Sequence, residues 1–467
     1  MRVLLLSTYE LGRQPVHVAT PAAALRRAGH EVRLADLAVR ELGEADLGWA
    51  EKVAISVPMH TATRLADGLV QALAKSHPAL PIALYGLYAG VGSSEVAARL
   101  EGEYEPALLR WVAGAHVGSS RHVGRSDLST PDRTGLPALD EYARLEHAPL
   151  AGSARPSNTP VGRRDTGRTV LAGPVEASHG CRHRCRHCPI PAVYDGRIRV
   201  VPRDFVLADI TNLVAAGAGH ITFGDADFLN APAHSLAILE AAHAAHPQVT
   251  FDATIKVEHI LQHDELWPQL AGLNLLFVVS AFESVDDRTL EILDKGHTVA
   301  DMSRAVALTR DAGIHIRPTW LPFMPWTTPD DVADIFEFID THRLSGATDP
   351  VQMSIRLLLP EGSLLEDHPA VRPHLDFYDP DALTWRWEFA NAETSVLHKE
   401  LETIAASASD CGQETVVTLN EMRVVVARST GRKLDPLDDL PVAPRLSESW
   451  FCCAEPTGSQ AISIRRG

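Results

Sequence analysis

Short apolar runs alternate with amphipathic stretches over the first 130 residues of the chain. The runs "VLLLS", "VAISVPMH" and "PIALYGLYAG" are typical of strands buried on both faces, and stretches such as "TRLADGLVQALAKSH" have helical periodicity. The alternation predicts a doubly wound parallel α/β domain over residues 1–130. Ligands of such sheets bind at the carboxyl ends of the strands. Here "TYELGRQP" follows the first strand, and Gly86, Gly90 and Gly92 follow the fourth, although glycines there are also typical of tight turns.

The alternation stops in the middle of the chain and then restarts. A stretch rich in Gly, Ser, Pro and Arg predicts a linker over residues 131–173. Six further strand–helix units, from "PVEAS" through "HITFGDAD" to a last strand at "VQMSIRLLLP", predict a partial (β/α)6 barrel over residues 174–365. Within it, Thr328 and Pro329 form the cap and first turn of a helix. Residues 366–467 are more irregular and form a C-terminal extension.

Composition and charge exclude several classes of protein. The chain of 467 residues is 45% hydrophobic and 22% charged, which is typical of ordinary globular domains. Its 43 basic and 60 acidic residues give a net charge of −17, which argues against nucleic acid as a partner. The sequence contains neither an export signal nor a run of apolar residues long enough to cross a membrane, so we expect a cytoplasmic protein without a membrane partner.

Half of the six cysteines lie within the octet "CRHRCRHC". Cys181, Cys185 and Cys188 follow the first barrel strand with the spacing C-x3-C-x2-C. Three thiolates can bind three irons of a cubane cluster and leave the fourth iron without a protein ligand. Zinc with His183 or His187 as a fourth ligand is the alternative, but no second ligand pair with zinc-site spacing follows.

The segment "ASHGCRHRCRHCPIP" resembles the radical S-adenosylmethionine (SAM) superfamily. The resemblance implies a [4Fe–4S] cluster on the three cysteines, SAM bound to the open iron, reductive cleavage of a carbon–sulfur bond, and a reducing partner such as flavodoxin or ferredoxin. "TFGDADF" looks like a degenerate form of the family's Gly-Gly-Glu element, which implies that Gly224 and Asp225 contact SAM. "SAFESVDDRTLEILDKGHT" is similar to a G-x-E-S segment followed by Lys-Gly, which implies the same for Glu283 and Ser284.

The N-terminal half and the connector "LPALDEYARLE" resemble a subgroup of radical SAM proteins that begin with a cobalamin-binding-type domain. The chain departs from that subgroup after the first strand, where "YELGRQPVH" replaces the D-x-H-x-x-G segment whose histidine ligates cobalt. Bound cobalamin without this ligand and loss of the cofactor both stay open. His60, at the end of "VAISVPMH", is a candidate for turn chemistry rather than for cobalt ligation.

A second cysteine pair, Cys452 and Cys453, lies in the tail segment "WFCCAEP". Adjacent cysteines are too constrained for an easy disulfide, so the pair could bind a soft ion, act as a redox pair, or be buried as small apolar side chains. Cys411 is a candidate third thiolate. Lys256 and Arg317, on predicted strands, could neutralise a substrate carboxylate or fill a solvated or capping role.

The tail resembles a group of radical SAM proteins that end in CUAEP or CCAEP and look related to the radical SAM enzyme of arsinothricin biosynthesis. The resemblance implies a transferase that moves the 3-amino-3-carboxypropyl group of SAM to trivalent arsenic, with Cys452 and Cys453 as catalytic thiols that bind arsenite. Cobalamin-dependent methyl transfer is one alternative. A non-catalytic metalloid sensor is another.

Overall fold

The N-terminal part of the chain is a doubly wound parallel sheet. The computed structural model describes residues 1–92, 94–148 and 168–448. The six strands are β1 Arg2–Ser7, β2 Glu31–Asp36, β3 Lys52–Ser56, β4 Ile82–Tyr85, β5 Ala98–Gly102 and β6 Gly118–His122. The helices are α1 Val16–Arg27, α2 Glu44–Trp49, α3 His60–Ser76 and α4 Glu105–Val112. The strands pair in parallel in the order β2-β1-β3-β4-β5-β6.

Strand β1 shows why its apolar run forms a central strand. Val3 and Leu5 pack into one core with α1 and α4, whereas Leu4 and Leu6 pack into a second core with α3. Successive side chains of a strand point to opposite faces, so an unbroken apolar run is stable only where helices cover both faces. The predicted architecture of this domain is therefore confirmed.

The second part of the chain is a curled half-barrel. Its strands and those of the C-terminal region are β7 Arg144–Ala148, β8 Arg168–Val175, β9 Ser178–Gly180, β10 Ile198–Val200, β11 His220–Phe223, β12 Thr250–Thr254, β13 Leu275–Glu283, β14 His315–Trp320, β15 Leu375–Asp379, β16 Thr384–Trp387 and β17 Arg445–Leu446. The main sheet has the order β14-β13-β12-β11-β8-β7-β17. Strands β8 and β11 to β14 are parallel, and β7 and β17 extend that sheet in antiparallel pairings.

Helices cover the outer face of this sheet and form part of the C-terminal region. They are α5 Ile190–Tyr194, α6 Arg203–Ala215, α7 Pro232–Ala245, α8 Val257–Gln262, α9 Trp267–Gly272, α10 Asp287–Ile292, α11 Val299–Asp311, α12 Pro329–Thr341, α13 Ala392–Cys411 and α14 Thr415–Thr430. Thr328 caps α12 with a reciprocal capping box, as predicted. Over the described ranges, no helix is both long and apolar enough to cross a bilayer.

The prediction of a barrel strand over "VQMSIRLLLP" is wrong. A 3-10 helix spans Pro350–Ser354, and the only strand-like pairing nearby in the described chain is a single bridge between Phe323 and Arg356. The reason lies in the side chain of Gln352, whose Oε1 accepts a hydrogen bond from the backbone N–H of Trp320 at 3.0 Å. A side-chain oxygen thus accepts the hydrogen bond from the edge of β14 that the prediction gave to the backbone of a sixth strand.

Helices α13 and α14 give the C-terminal extension more regular structure than the sequence predicted. Leu397, Leu401, Leu419 and Met422 bring both helices into the barrel core. Each helix ends at a glycine in the left-handed conformation, with a φ of 67° at Gly412 after α13 and of 69° at Gly431 after α14. Both helices therefore pack on the barrel core.

The carboxyl edge of the N-terminal sheet packs directly on the barrel. Tyr9 and Met59, which follow β1 and β3, share one apolar cluster with Leu293, Met324 and Trp387. The ring of His60, which is fully buried, contacts the carbonyl oxygen of Leu383 through Nε2 at 3.2 Å. This edge is therefore covered by the barrel and by the β15–β16 hairpin.

Candidate active site

The three cysteines of the octet lie in the loop that follows β8 and β9, at the carboxyl edge of the barrel strands. Cys181 and Cys185 are buried, Cys188 is half-buried, and none of the three forms a disulfide. The loop begins at Gly180 with a φ of +76°, where a Cβ atom would lie 2.3 Å from the carbonyl oxygen of Arg197. Only glycine fits that position.

A buried ion pair stands beside the cysteine loop. Glu283, at the end of β13, contacts Lys295 Nζ at 3.2 Å and His187 Nε2 at 3.1 Å, both through Oε1. Burial would raise the pKa of this carboxyl, but Lys295 and His187 lower it to about 2. Burial alone would lower the pKa of Lys295, yet Glu283 and the thiolates of Cys185 and Cys188 raise it. The site therefore holds a fixed positive charge next to the thiols, which suits an anionic cluster.

Glu283 and Ser284, two of the predicted SAM contacts, lie in a turn with an uncommon backbone conformation and a local hydrogen bond. Glu283 has a φ of 66°, an uncommon left-handed conformation for a residue with a side chain, which is typical of functional sites. Ser284 accepts a hydrogen bond through Oγ from the backbone N–H of Asp286 at 3.2 Å and so shapes the turn before α10. Both residues lie at the same strand end as the cysteine loop.

Asp225 accepts hydrogen bonds from the segment that leads into the cysteine loop. Its Oδ2 accepts from the N–H of Ala177 at 2.9 Å, and its Oδ1 accepts from Oγ of Ser178 at 2.5 Å. Burial raises its pKa to about 7, against these hydrogen bonds. Gly224 precedes it, and a Cβ atom there would make only ordinary contact with Glu176. Both Asp225 oxygens thus already bind the segment that leads to Cys181.

The two histidines considered as zinc ligands each face a carboxylate. His187 Nε2 contacts Glu283, and His183 Nε2 lies 3.6 Å from Asp227 Oδ2. Lys256 also lies here, with Nζ 3.1 Å from His183 Nδ1, whereas Arg317 pairs with Asp349 at 2.9 Å. The octet thus offers a thiolate set with its imidazoles engaged elsewhere.

A buried cluster of acids and histidines joins the two domains next to this loop, and no sequence pattern predicted it. His179, two residues before Cys181, contacts Glu103 at 3.0 Å and Glu176 at 3.5 Å, and His17 contacts Glu176 at 3.4 Å. Burial opposes the charged forms, but the paired charges raise the pKa of His179 and lower that of Glu176 to about 2. These ion pairs fix the cysteine loop against the N-terminal domain.

The tail cysteines Cys452 and Cys453 lie outside the described residues, whose last member is Glu448. Strand β17 ends just before it, and Ser447 N–H donates to Arg144 O at 2.8 Å. The Tyr9 hydroxyl donates a hydrogen bond to the Glu448 carboxylate, and burial and that negative charge raise the pKa of Tyr9.

An apolar cluster and one hydrogen bond link Tyr9 to the cysteine loop. Tyr9 and Leu293 share an apolar cluster, and Leu293 O accepts from the N–H of Arg186 at 2.8 Å. The described chain thus ends beside the edge that holds the loop. Cys411 lies on the exposed end of α13, where Sγ contacts Ala408 O at 3.7 Å.

Residues 175–339 match the family model of the radical SAM superfamily. The chain therefore carries a radical SAM domain, and this fold implies a [4Fe–4S] cluster and SAM as cofactors. The three thiols fit a cluster, since none of them is in a disulfide, they lie within eight residues, and Cys185 and Cys188 interact with the buried cation of Lys295.

Solved structures of cobalamin-dependent radical SAM enzymes share this fold. One is the cobalamin-dependent SAM radical enzyme OxsB with aqua-cobalamin and SAM bound, with a TM-score of 0.62, 12% identity, and coverage of 87% of this chain and 66% of that chain. Another is the radical SAM methyltransferase TsrM from Kitasatospora setae with cobalamin and a [4Fe–4S] cluster bound, with a TM-score of 0.53, 17% identity, and coverage of 73% and 70%. The chain thus spans slightly less than two thirds of the OxsB chain. No curated protein matches the sequence.

Proposed function

We propose that this protein is a radical SAM transferase that moves the 3-amino-3-carboxypropyl group of SAM to trivalent arsenic held by thiols of its own tail. The observation that carries the proposal is the position of Glu448. Cys452 and Cys453 follow it by four and five residues, a distance that an extended chain spans in at most roughly 13–18 Å. The proposal requires the tail thiols to reach the edge of the barrel at which the cysteine loop lies.

The residues of the site divide into two roles. Cys181, Cys185 and Cys188 would hold the cluster, and Lys295 keeps a positive charge beside Cys185 and Cys188. When bound, the reduced cluster supplies the electron that cleaves a carbon–sulfur bond of SAM. Gly224, Asp225, Glu283 and Ser284 are proposed to hold SAM. Because both Asp225 oxygens bind residues 177 and 178, Asp225 would act by positioning that segment.

The proposed transfer balances with two electrons and one proton. Cleavage of the bond between sulfur and the 3-amino-3-carboxypropyl carbon releases methylthioadenosine, and a carbon–arsenic bond replaces one arsenic–oxygen bond of arsenite, with release of water. A low-potential donor such as flavodoxin or ferredoxin supplies the electrons, which fits a reducing, cytoplasmic setting. Soft thiolates suit a soft ion such as trivalent arsenic.

The test is anaerobic reconstitution with iron and sulfide, then reduction with SAM in the presence and absence of arsenite. We expect methylthioadenosine only with arsenite, and its loss in Cys453→Ala. Cys411→Ala, on an exposed helix end, is the matched control and should keep the activity. 5′-Deoxyadenosine formed without regard to arsenite would contradict the transfer, and absence of any SAM cleavage would favour the metalloid sensor.

Cobalamin-dependent methyl transfer is a second candidate, supported by the likeness of the fold to OxsB and TsrM. The residues at the carboxyl edge of the N-terminal sheet do not fit it. Tyr9 and Met59 pack against the barrel, and His60 is buried against Leu383 O. A Cβ atom at Gly86 would lie 3.0 Å from Val57 O, so that glycine serves a close turn within its own domain. A corrin ring at this edge would have to displace the apolar contacts between the domains.

A further inference from the structure

Three side chains from separate elements converge beside the cysteine loop. His183 lies between Cys181 and Cys185, Asp227 follows β11, and His259 lies on α8. Asp227 Oδ2 is 2.8 Å from His259 Nδ1 and 3.6 Å from His183 Nε2, and the three ligand atoms lie within 4.8 Å of one another. Asp227 and His259 are buried, with 1% and 6% of their surface exposed.

Hydrogen bonding does not account for this arrangement. Neither His183 Nε2 nor His259 Nδ1 meets hydrogen-bond geometry with any partner among the described residues, although both atoms are buried and near the same oxygen. Asp227 Oδ1 accepts from the N–H of Leu229 at 3.0 Å, and Oδ2 accepts from the N–H of Lys256 at 3.3 Å. Buried imidazole nitrogens that face a carboxylate without hydrogen-bond alignment are costly unless something occupies the space between them.

Two of the three separations lie close to those of ligand atoms around a metal ion. Metal–ligand bonds of about 2.0–2.2 Å place neighbouring ligand atoms roughly 3.0–3.5 Å apart. The observed 2.8 and 3.6 Å bracket that range. Two imidazoles and one carboxylate form a set that borderline transition metals prefer, whereas calcium and magnesium take mainly oxygen ligands.

A second layer of contacts supports the same role. Glu258 Oε2 lies 3.4 Å from His183 Nδ1, so that a carboxylate stands behind this imidazole on the side away from Asp227. Lys256 Nζ also lies near His183 Nδ1, and it donates to Glu258 Oε2 at 3.0 Å, so that Glu258 balances its charge. Asp227 then supplies the negative charge of the ligand set.

We propose that His183 Nε2, Asp227 Oδ2 and His259 Nδ1 bind one divalent transition-metal ion of the zinc, iron(II) and cobalt(II) class. The ion would tie the cysteine loop to β11 and α8 and leave further coordination positions open. This site is distinct from the cluster, because its ligands are imidazole and carboxylate rather than thiolate. It does not depend on the transfer reaction proposed above.

The experiment measures metal bound to the cluster-loaded protein, so that the cysteines are already occupied. After dialysis against Co²⁺ and then against metal-free buffer, we expect one cobalt per chain in addition to the cluster iron, with visible d–d absorption. His259→Leu should lose that cobalt. His263→Leu is the matched control, since it lies one turn further along and its ring is 5.8 Å from that of His259.

Glu258→Gln tests the second layer without a core substitution, because the Glu258 side chain is 42% exposed. Loss of this layer should weaken cobalt binding roughly 10–100-fold with the iron content unchanged. Wild-type protein that takes up no cobalt would overturn the proposal. Cobalt binding as strong as that of the wild type in both His259→Leu and Glu258→Gln would overturn it too. In either case the three side chains form a charged hydrogen-bonded group only.

Discussion

Lys295→Met removes the buried cation beside the cysteine loop and should destabilise the barrel. Lys295 and Glu283 are 2% and 7% exposed, and their charged atoms are 3.2 Å apart. The pKa of Glu283 falls from 4.5 to about 2 in the folded protein, chiefly through Lys295 and His187 against the effect of burial. A lowering of this size corresponds to about 3 kcal/mol in favour of the buried carboxylate. Breaking a buried pair on one side typically costs about 3–5 kcal/mol, so we expect a loss of about 3 kcal/mol.

The assay is urea unfolding of the metal-free protein at neutral pH, followed by tryptophan fluorescence. The double variant Glu283→Gln/Lys295→Met is the control, and it should recover most of the loss because no buried charge is left unpaired. A loss below about 1 kcal/mol in Lys295→Met, the size of an exposed pair, would refute the reasoning. A double variant no more stable than the single one would refute it too.

Three further results are expected. Because the pKa of Glu283 is lowered in the folded protein, its contribution to the free energy of unfolding is complete above its ordinary pKa of 4.5 and is lost as the pH falls towards about 2. Acid unfolding of Glu283→Gln should therefore lack this part of the stability that the wild type loses. Identical acid unfolding profiles would contradict the expectation. Gly180→Ala should lower cluster iron content, because its Cβ would overlap Arg197 O, whereas Gly272→Ala, with open space around its Cβ, should not; equal iron in both would show that the tight turn is not needed. Protein incubated with hydroxocobalamin under reducing conditions should retain no corrinoid after gel filtration, and stoichiometric retention would show that the covered edge opens.

Particular residues show what the sequence could predict of the fold. The run at β1 predicts a strand covered on both faces, since it has no polar side, and Val3 and Leu4 do lie in different cores. The strand over "VQMSIRLLLP" could not be rejected in this way, because a side chain of Gln352, rather than a backbone, satisfies the edge of β14. Helix α13 was missed because its buried face is narrow, and its burial depends on packing against the barrel.

The residues of the candidate site also differ in how far the sequence predicts them. The cysteine triad was predicted because its three ligands lie within eight residues, so that local spacing alone carries the chemistry. Glu283 and Lys295 are 12 residues apart, and His183 and Lys256 are 73 apart, so no local pattern reveals that they meet. The roles of Gly224, Asp225, Glu283 and Ser284 towards SAM, and those of the tail cysteines, stay predictions.

The most direct test of the proposed transfer follows the carbon atoms of SAM. The reconstituted, reduced protein is given arsenite and SAM labelled with ¹³C in the 3-amino-3-carboxypropyl moiety, and the products are separated by chromatography and identified by mass. The proposal predicts that the label enters an arsenic-containing product in equal amount to unlabelled methylthioadenosine. Recovery of the label only in methionine, together with 5′-deoxyadenosine, would contradict it.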